Sequence, residues 1–161
     1  MATPGWPDDW EERKQGRDCP LCAALGNGDD DHAVAVAQLP HTEVRLERRS
    51  RLLGYCIVVW RHGHIAEPTA LEPDAAHGYW DDVMAVSRAL ESLYRPMKMN
   101  LFTVGNWVPH LHTHVVPRYL DDPAPGGPIT FDAIFADDST PPDELRQQAA
   151  AIRAALATPS S

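Results

Sequence analysis

Apolar and polar residues alternate along two adjacent stretches, 32–39 and 42–48, and the Pro40-His41 step between them breaks the pattern. Period-two alternation bounded by turn residues predicts two neighbouring strands. A β-branched run over 55–61 then predicts a central strand, entered through the turn Leu52-Leu53-Gly54. The period changes after residue 73: Tyr79, Trp80, Val83, Val86, Leu90, Leu93 and Tyr94 fall on one face at helical spacing, and Pro96 stops the pattern. That face reads as core or subunit contact. Two more strands follow, over 97–104 and 111–118. Flanking these are a short polar helix over 8–15 with Trp6 and Trp10 as anchors, a helical turn over 19–25 and a surface loop over 26–31. A breaker-rich connector (121–128), an alanine-rich helix (143–157) and a loose tail end the chain. The order β-β-β-α-β-β predicts an α+β fold: about five antiparallel strands with one long helix packed on them, plus N- and C-terminal helices.

At 161 residues and 43% hydrophobic the chain suits a single core. No apolar run approaches the length of a membrane span and the N-terminus has no hydrophobic signal core, so a cytoplasmic protein with no membrane partner is expected. The three cysteines cannot all pair, which agrees with that compartment. A net charge of −9 argues against a general nucleic-acid binder. Arg45, Arg48, Arg49, Arg51 and Arg61 cluster in the strand region, away from the acidic stretches, and could give an acidic protein a less acidic cleft.

The most specific chemistry lies in His110-Leu111-His112-Thr113-His114-Val115-Val116. Imidazoles two residues apart share one face of a strand, about 6.6–6.8 Å from one to the next along the chain. Leu111, Thr113 and Val115 then point to the core. A row of side chains that titrate near neutrality suits a reactive or metal-binding face better than packing.

This pattern resembles the signature of the histidine triad (HIT) family of nucleotide hydrolases and transferases, His-φ-His-φ-His-φ-φ with φ apolar; Thr113 is the one mild departure. Gly105-Asn106-Trp107-Val108-Pro109 before it and Pro117-Arg118-Tyr119 after it also look like the family's, and a weaker likeness reaches back to Cys19. The resemblance implies an N-terminal extension (1–18), a HIT domain (19–120) and a C-terminal connector and helix (121–161). It also implies a small nucleotide substrate and a homodimer formed through the long helix and a neighbouring strand. The middle histidine, His112, would be the nucleophile. His114 would contact phosphate or leaving-group oxygens, and His110 would support the site.

Around these residues, Gly105 permits close backbone approach to phosphate, and Asn106 is either a donor there or a cap for its own turn. Asn100 could reach phosphate from a loop. Trp107 stands where several subgroups carry a small hydroxyl residue against the leaving group, so leaving-group preference is open. Leu39, His41 and Glu43 are the nearest candidates for the nucleoside pocket.

Cys19-Pro20-Leu21-Cys22 has the spacing of a zinc knuckle, with a redox pair or two ordinary cysteines as alternatives; no thioredoxin-like context surrounds it. In one branch of the family the remaining ligands are a histidine after the central strand and the first histidine of the triad. Here these would be His64, with His62 as the alternative, and His110. Zinc would then be structural, and no organic cofactor is expected. Cys56, His32 and His77 read as bystanders.

The resulting expectation is a hydrolase that cleaves a dinucleoside polyphosphate or a nucleoside phosphoramidate through a nucleotidyl-histidine. The alternatives are a nucleotidyltransferase of specialised metabolism, a non-catalytic nucleotide sensor, and a protein whose histidines serve metal alone.

Overall fold

A computed structural model describes residues 5–128, 130–136 and 139–158. The strands β1 (Ala33–Gln38), β2 (Thr42–Glu47), β3 (Cys56–Trp60), β4 (Lys98–Phe102) and β5 (His112–Arg118) form one sheet in the order β1-β2-β3-β5-β4. Every neighbouring pair is antiparallel. The expected α+β architecture is therefore present, with each strand one to three residues shorter than its hydrophobic pattern. The helices are α1 (Trp10–Lys14), α2 (Pro20–Ala24), α3 (Pro73–Tyr94), α4 (Phe131–Ile134) and α5 (Pro142–Ala157). Of these, α4 was not expected. The tail predicted after residue 157 falls, apart from Thr158, on residues 159–161, which lie outside the described residues.

Strand alternation gives the sheet two unlike faces. Val44, Leu46, Cys56, Val58, Trp60 and Val115 point to one side, where Tyr79, Val83, Val86 and Leu90 of α3 and Leu145, Ala149 and Ile152 of α5 complete the core. The apolar stripe of α3 is as predicted except at its rim: Trp80 and Leu93 remain 39% and 37% exposed. Pro73 opens this helix, and Arg95, in the left-handed conformation, closes it ahead of Pro96. Thr113, the polar residue among the core-facing positions of β5, is satisfied there. Its hydroxyl lies 2.7 Å from that of Tyr79 and 2.8 Å from that of Thr103. Trp6 is 64% exposed, its ring tilted against that of Trp10 with centroids 4.8 Å apart, so it packs on α1 rather than in the core.

The opposite face carries Glu43, Arg45, Ile57, His112 and His114, which follow one another across the paired strands. Two segments cover it. Near β2 the loop over 25–32 is held by a buried ion pair: Arg45, 1% exposed, donates to Glu43 at 2.5 Å, to Asp30 at 2.9 Å and to the Gly28 carbonyl. Glu43 in turn accepts from the Gly26 N–H and the Gln38 amide. At the other end α4 brings Ile134 against Leu52, Tyr55 and Val116. Most of the arginines expected to line a cleft are spent on such ties: Arg48 binds the Asp30 carbonyl, Arg51 that of Phe135 and Arg61 those of Leu39 and Pro40.

A buried charge stripped of its partner is strongly destabilising, whereas removal of both charges is not. Arg45→Met is expected to lower unfolding stability in urea by about 3–5 kcal/mol, and Arg45→Met combined with Glu43→Met to recover part of that loss.

Candidate active site and metal centre

The histidine run does not lie on one strand. β5 begins at His112, and His110 stands before it. The Val59↔His112 and Ile57↔His114 pairings hold two imidazoles side by side, their ring centroids 4.9 Å apart. The third ring, expected on the same face, instead turns toward the N-terminal segment. Its Nδ1 is 3.5 Å from the Cys19 Sγ and 3.3 Å from the Cys22 Sγ. The cause is the backbone: the Leu111 N–H bonds to the Ile65 carbonyl and the His110 N–H to that of Val108, so contact with β3 ends on the bond from the Trp60 N–H to the Leu111 carbonyl and His110 lies beyond it.

The Cys19, Cys22, His64 and His110 donor atoms all lie within 4.8 Å of one another. The Cys22 Sγ to His64 Nδ1 distance is 3.4 Å. Bonds of about 2.3 Å to sulfur and 2.0–2.1 Å to nitrogen place tetrahedral ligands roughly 3.5–3.8 Å apart, so this donor set fits a four-coordinate ion with little movement. Each ring is aimed by its other nitrogen: Nε2–H of His110 donates to the Trp60 carbonyl at 2.8 Å, and that of His64 to the Lys14 carbonyl at 3.1 Å. Backbone orientation of this kind is the usual support of a metal-binding imidazole. Gly16, at φ +89°, lies so close beneath His64 that a Cβ there would sit 2.8 Å from its ring. Burial and the adjacent Cys19 push the Cys22 thiol up to about 11, and burial pulls His110 down to about 4. His62 is outside this cluster, its Nε2 bonded to the Pro40 carbonyl and its ring against Trp60.

His112 and His114 are buried but not sealed, each 7% exposed. Nδ1–H of His112 donates to the His110 carbonyl at 2.6 Å, which directs the lone pair onto Nε2. His114 is stacked on Phe102, with centroids 4.7 Å apart and planes at 13°, and its Nδ1 is 2.5 Å from the Tyr55 hydroxyl. Burial lowers the pKa of His112; burial and then the charge of His112 lower that of His114, to about 3. Both rings are therefore neutral near pH 7.

The remaining predicted residues divide. Gly105, at φ +143°, and exposed Asn106 and Trp107 form the loop ahead of His110. Trp107 is 57% exposed, with the Arg13 guanidinium 5.4 Å over its ring. Asn100 is not in a loop: it lies within β4, and its amide oxygen accepts from Arg118 at 2.7 Å. His41 is on the core side, where its N–H binds Asp82 and its ring faces Trp60. Glu43 is on the histidine face, but Arg45, Gly26 and Gln38 occupy its carboxylate.

Sequence reasoning missed Tyr55 and Glu47. Glu47 ends β2 on that face, with its N–H bonded to the Tyr55 carbonyl, and burial raises the pKa of its carboxyl. Strand parity was the available signal, since Glu47 falls in step with Glu43 and Arg45.

A family model, the HIT domain, matches residues 29–121, more than half of the chain. Solved structures share the fold. A histidine triad protein from Bradyrhizobium japonicum is 22% identical with a TM-score of 0.70, over 78% of this chain and 92% of that one. A histidine triad (HIT) protein from Sinorhizobium meliloti 1021 is 25% identical, with a TM-score of 0.67 over 75% and 87%. A Zn-bound histidine triad family protein from Mycobacterium smegmatis is 23% identical, with a TM-score of 0.63 over 88% and 94%. Among the curated proteins none matches the chain. Among the described residues no helix is long and apolar enough to cross a membrane.

The depressed histidines give a pH prediction. Unfolded, His114 titrates near 6.5; folded, it resists protonation down to about 3. The unfolded chain thus binds the extra proton between those values, so this contribution is complete above pH 6.5 and drains away as pH falls toward 3, by up to about 1.4 kcal/mol per unit. Urea midpoints are expected to fall steadily from pH 7 to pH 4, and less steeply in His114→Gln; equal slopes would show that His114 is hydrated in the folded state.

Proposed function

This chain belongs to the histidine triad (HIT) family, and from that premise we propose that it cleaves a nucleoside 5′-phosphoryl compound through a nucleotidyl-histidine on His112. The observation that carries this reading is the 2.6 Å bond between Nδ1–H of His112 and the His110 carbonyl. It fixes the tautomer whose Nε2 lone pair is available to a phosphorus centre, in a ring that burial keeps neutral.

In the first step Nε2 of His112 attacks the α-phosphorus. A P–N bond forms, and the bond to the leaving group breaks with its electron pair, which the leaving group carries away; an amine takes up a proton from solvent as it leaves. In the second step water attacks phosphorus, the P–N pair returns to the imidazole, and a water proton is released with the nucleoside monophosphate. Each displacement inverts phosphorus, so the net outcome is retention. An N–H of His114 and the Asn106 side chain are the donors for phosphoryl oxygens, and Gly105 leaves room for them. Glu47 is the acid proposed for the ribose hydroxyls: it stands on the histidine face, where its carboxylate accepts from the Arg49 N–H at 3.5 Å, a weaker hold than the Arg45 ion pair on Glu43. Transfer to an acceptor other than water shares the first step, and exposed Trp107 offers such an acceptor a stacking surface.

Zinc on Cys19, Cys22, His64 and His110 belongs to the same reading. Four protein donors leave no position for water, so the ion would act structurally, binding the N-terminal segment to the start of β5. A homodimer is the assembly proposed. In its favour, β4 is an edge strand, and Leu101 within it, Met97 just before it and Leu93 near the end of α3 are 39%, 71% and 37% exposed.

The test is AMP release from adenosine phosphoramidate and diadenosine tetraphosphate. Wild-type turnover is expected, with a loss of at least about 1,000-fold in His112→Ala, in line with removal of a nucleophile; turnover that survives the substitution would sink the mechanism. In parallel, elemental analysis is expected to find one zinc per chain in wild type and His112→Ala, and Cys22→Ser to lose both zinc and thermal stability. Full zinc content in Cys22→Ser would remove the metal assignment.

A further inference from the structure

Tyr55 lies at the mouth of β3, fully buried, with its hydroxyl 2.5 Å from Nδ1 of His114. It is held there from several directions. Gly54, at φ +77°, turns the chain just before it, and a Cβ at Gly54 would strike the Tyr94 ring at 2.5 Å. Phe135 stacks on the Tyr55 ring with centroids 6.1 Å apart and planes at 23°. On the far side of the bond, His114 is fixed against Phe102. Tyr55 cannot leave the contact without unpacking its cluster with Leu52, Val116 and Ile134, against which Phe102 also packs.

A neutral imidazole carries one N–H and one lone pair, and a hydrogen bond at either nitrogen decides which is which. A phenol that keeps its proton can donate to Nδ1, and the imidazole proton is then on Nε2. Burial, and the Glu47 carboxylate beside it, hold the Tyr55 hydroxyl in its protonated form. Burial holds His114 neutral as well. His112, 4.9 Å away, has the opposite assignment, with its proton on Nδ1 and its lone pair on Nε2.

We propose that Tyr55 is a positioning residue: its hydroxyl donates to Nδ1 of His114 and fixes His114 as the Nε2–H tautomer. The site then presents two neighbouring imidazoles with different tasks, a lone pair on His112 and a hydrogen-bond donor on His114. In catalytic terms the inference rests on the reaction proposed above, but the tautomer itself does not.

Long-range ¹⁵N–¹H correlation spectra of the zinc-loaded protein read the tautomer directly, with the His114 signals assigned by their loss in His114→Gln. Wild type is expected to show His114 as Nε2–H and His112 as Nδ1–H. In Tyr55→Phe, which keeps the ring and removes only the hydroxyl, His114 is expected to become a tautomeric mixture while His112 is unchanged. The same variant should lose roughly 3- to 10-fold in kcat, the worth of one neutral hydrogen bond, with KM and zinc content preserved. An Nδ1–H tautomer of His114 in wild type would overturn the proposal, as would a His114 spectrum unaltered in Tyr55→Phe. The wild-type spectrum stands even if the variant fails to fold. Absent turnover in wild type would count against the proposed reaction and leave the tautomer result intact.

Discussion

His110 is the residue on which the rest of the site depends. Its Nε2–H is tied to the Trp60 carbonyl, its Nδ1 faces two thiols, and its own carbonyl receives Nδ1–H of His112. One residue thereby joins the end of β3, the N-terminal segment and the neighbouring imidazole. Each bond constrains the others, because rotating the ring toward solvent would release the Trp60 carbonyl inside a buried region, at the cost of an unsatisfied acceptor. The two-cysteine, two-histidine donor set and the histidine pair are thus contiguous through a single backbone unit.

Around that node the two faces of the sheet follow different physics. The α3 and α5 side is mostly apolar; of its buried polar groups, the Thr113 hydroxyl is satisfied by Tyr79 and Thr103 and the Thr42 hydroxyl by Asp82. The other side buries charge and imidazole, which is tolerable only where every group is partnered. Glu43 and Arg45 meet that condition through each other and the loop over 25–32, which also explains how so acidic a chain can spend its arginines internally. His112 and His114 meet it as neutral rings. Their chemistry follows from the same requirement, since a dry environment selects the uncharged form and hydrogen bonds select the tautomer.

Much of this was legible in the sequence. Period-two and helical patterns located all five strands and α3, because sheet and helix bury one face against each other; the register shift between Ala35 and Ala37 in β1 was not legible. The Cys19–Cys22 spacing and the histidine run gave the donor types. What was not legible depended on where a strand begins and what lies across it. No residue pattern says that pairing starts at His112, so His110 was read as facing with its neighbours. Asn100 falls inside the predicted strand over 97–104, and only the fold shows that its amide oxygen is taken by Arg118 of β5. Tyr55 resembled an ordinary strand residue until its hydroxyl was seen at His114, and Glu47 was indistinguishable from Glu43 until the carboxylate of the latter proved to be occupied.

The strand order has a consequence for how reactivity arises. β5 pairs with β4 across one short loop, whereas its pairing with β3 closes over the whole of α3 and β4. Loop-closure entropy therefore weighs on the second contact more than the first. Phe102 comes to His114 with the cheap hairpin, but Tyr55 and the Trp60 carbonyl come only with the expensive docking. A hairpin alone would display imidazoles of ordinary basicity. The division of labour between His112 and His114 is a property of the completed sheet, so a chain caught before that last closure holds the triad residues without their chemistry.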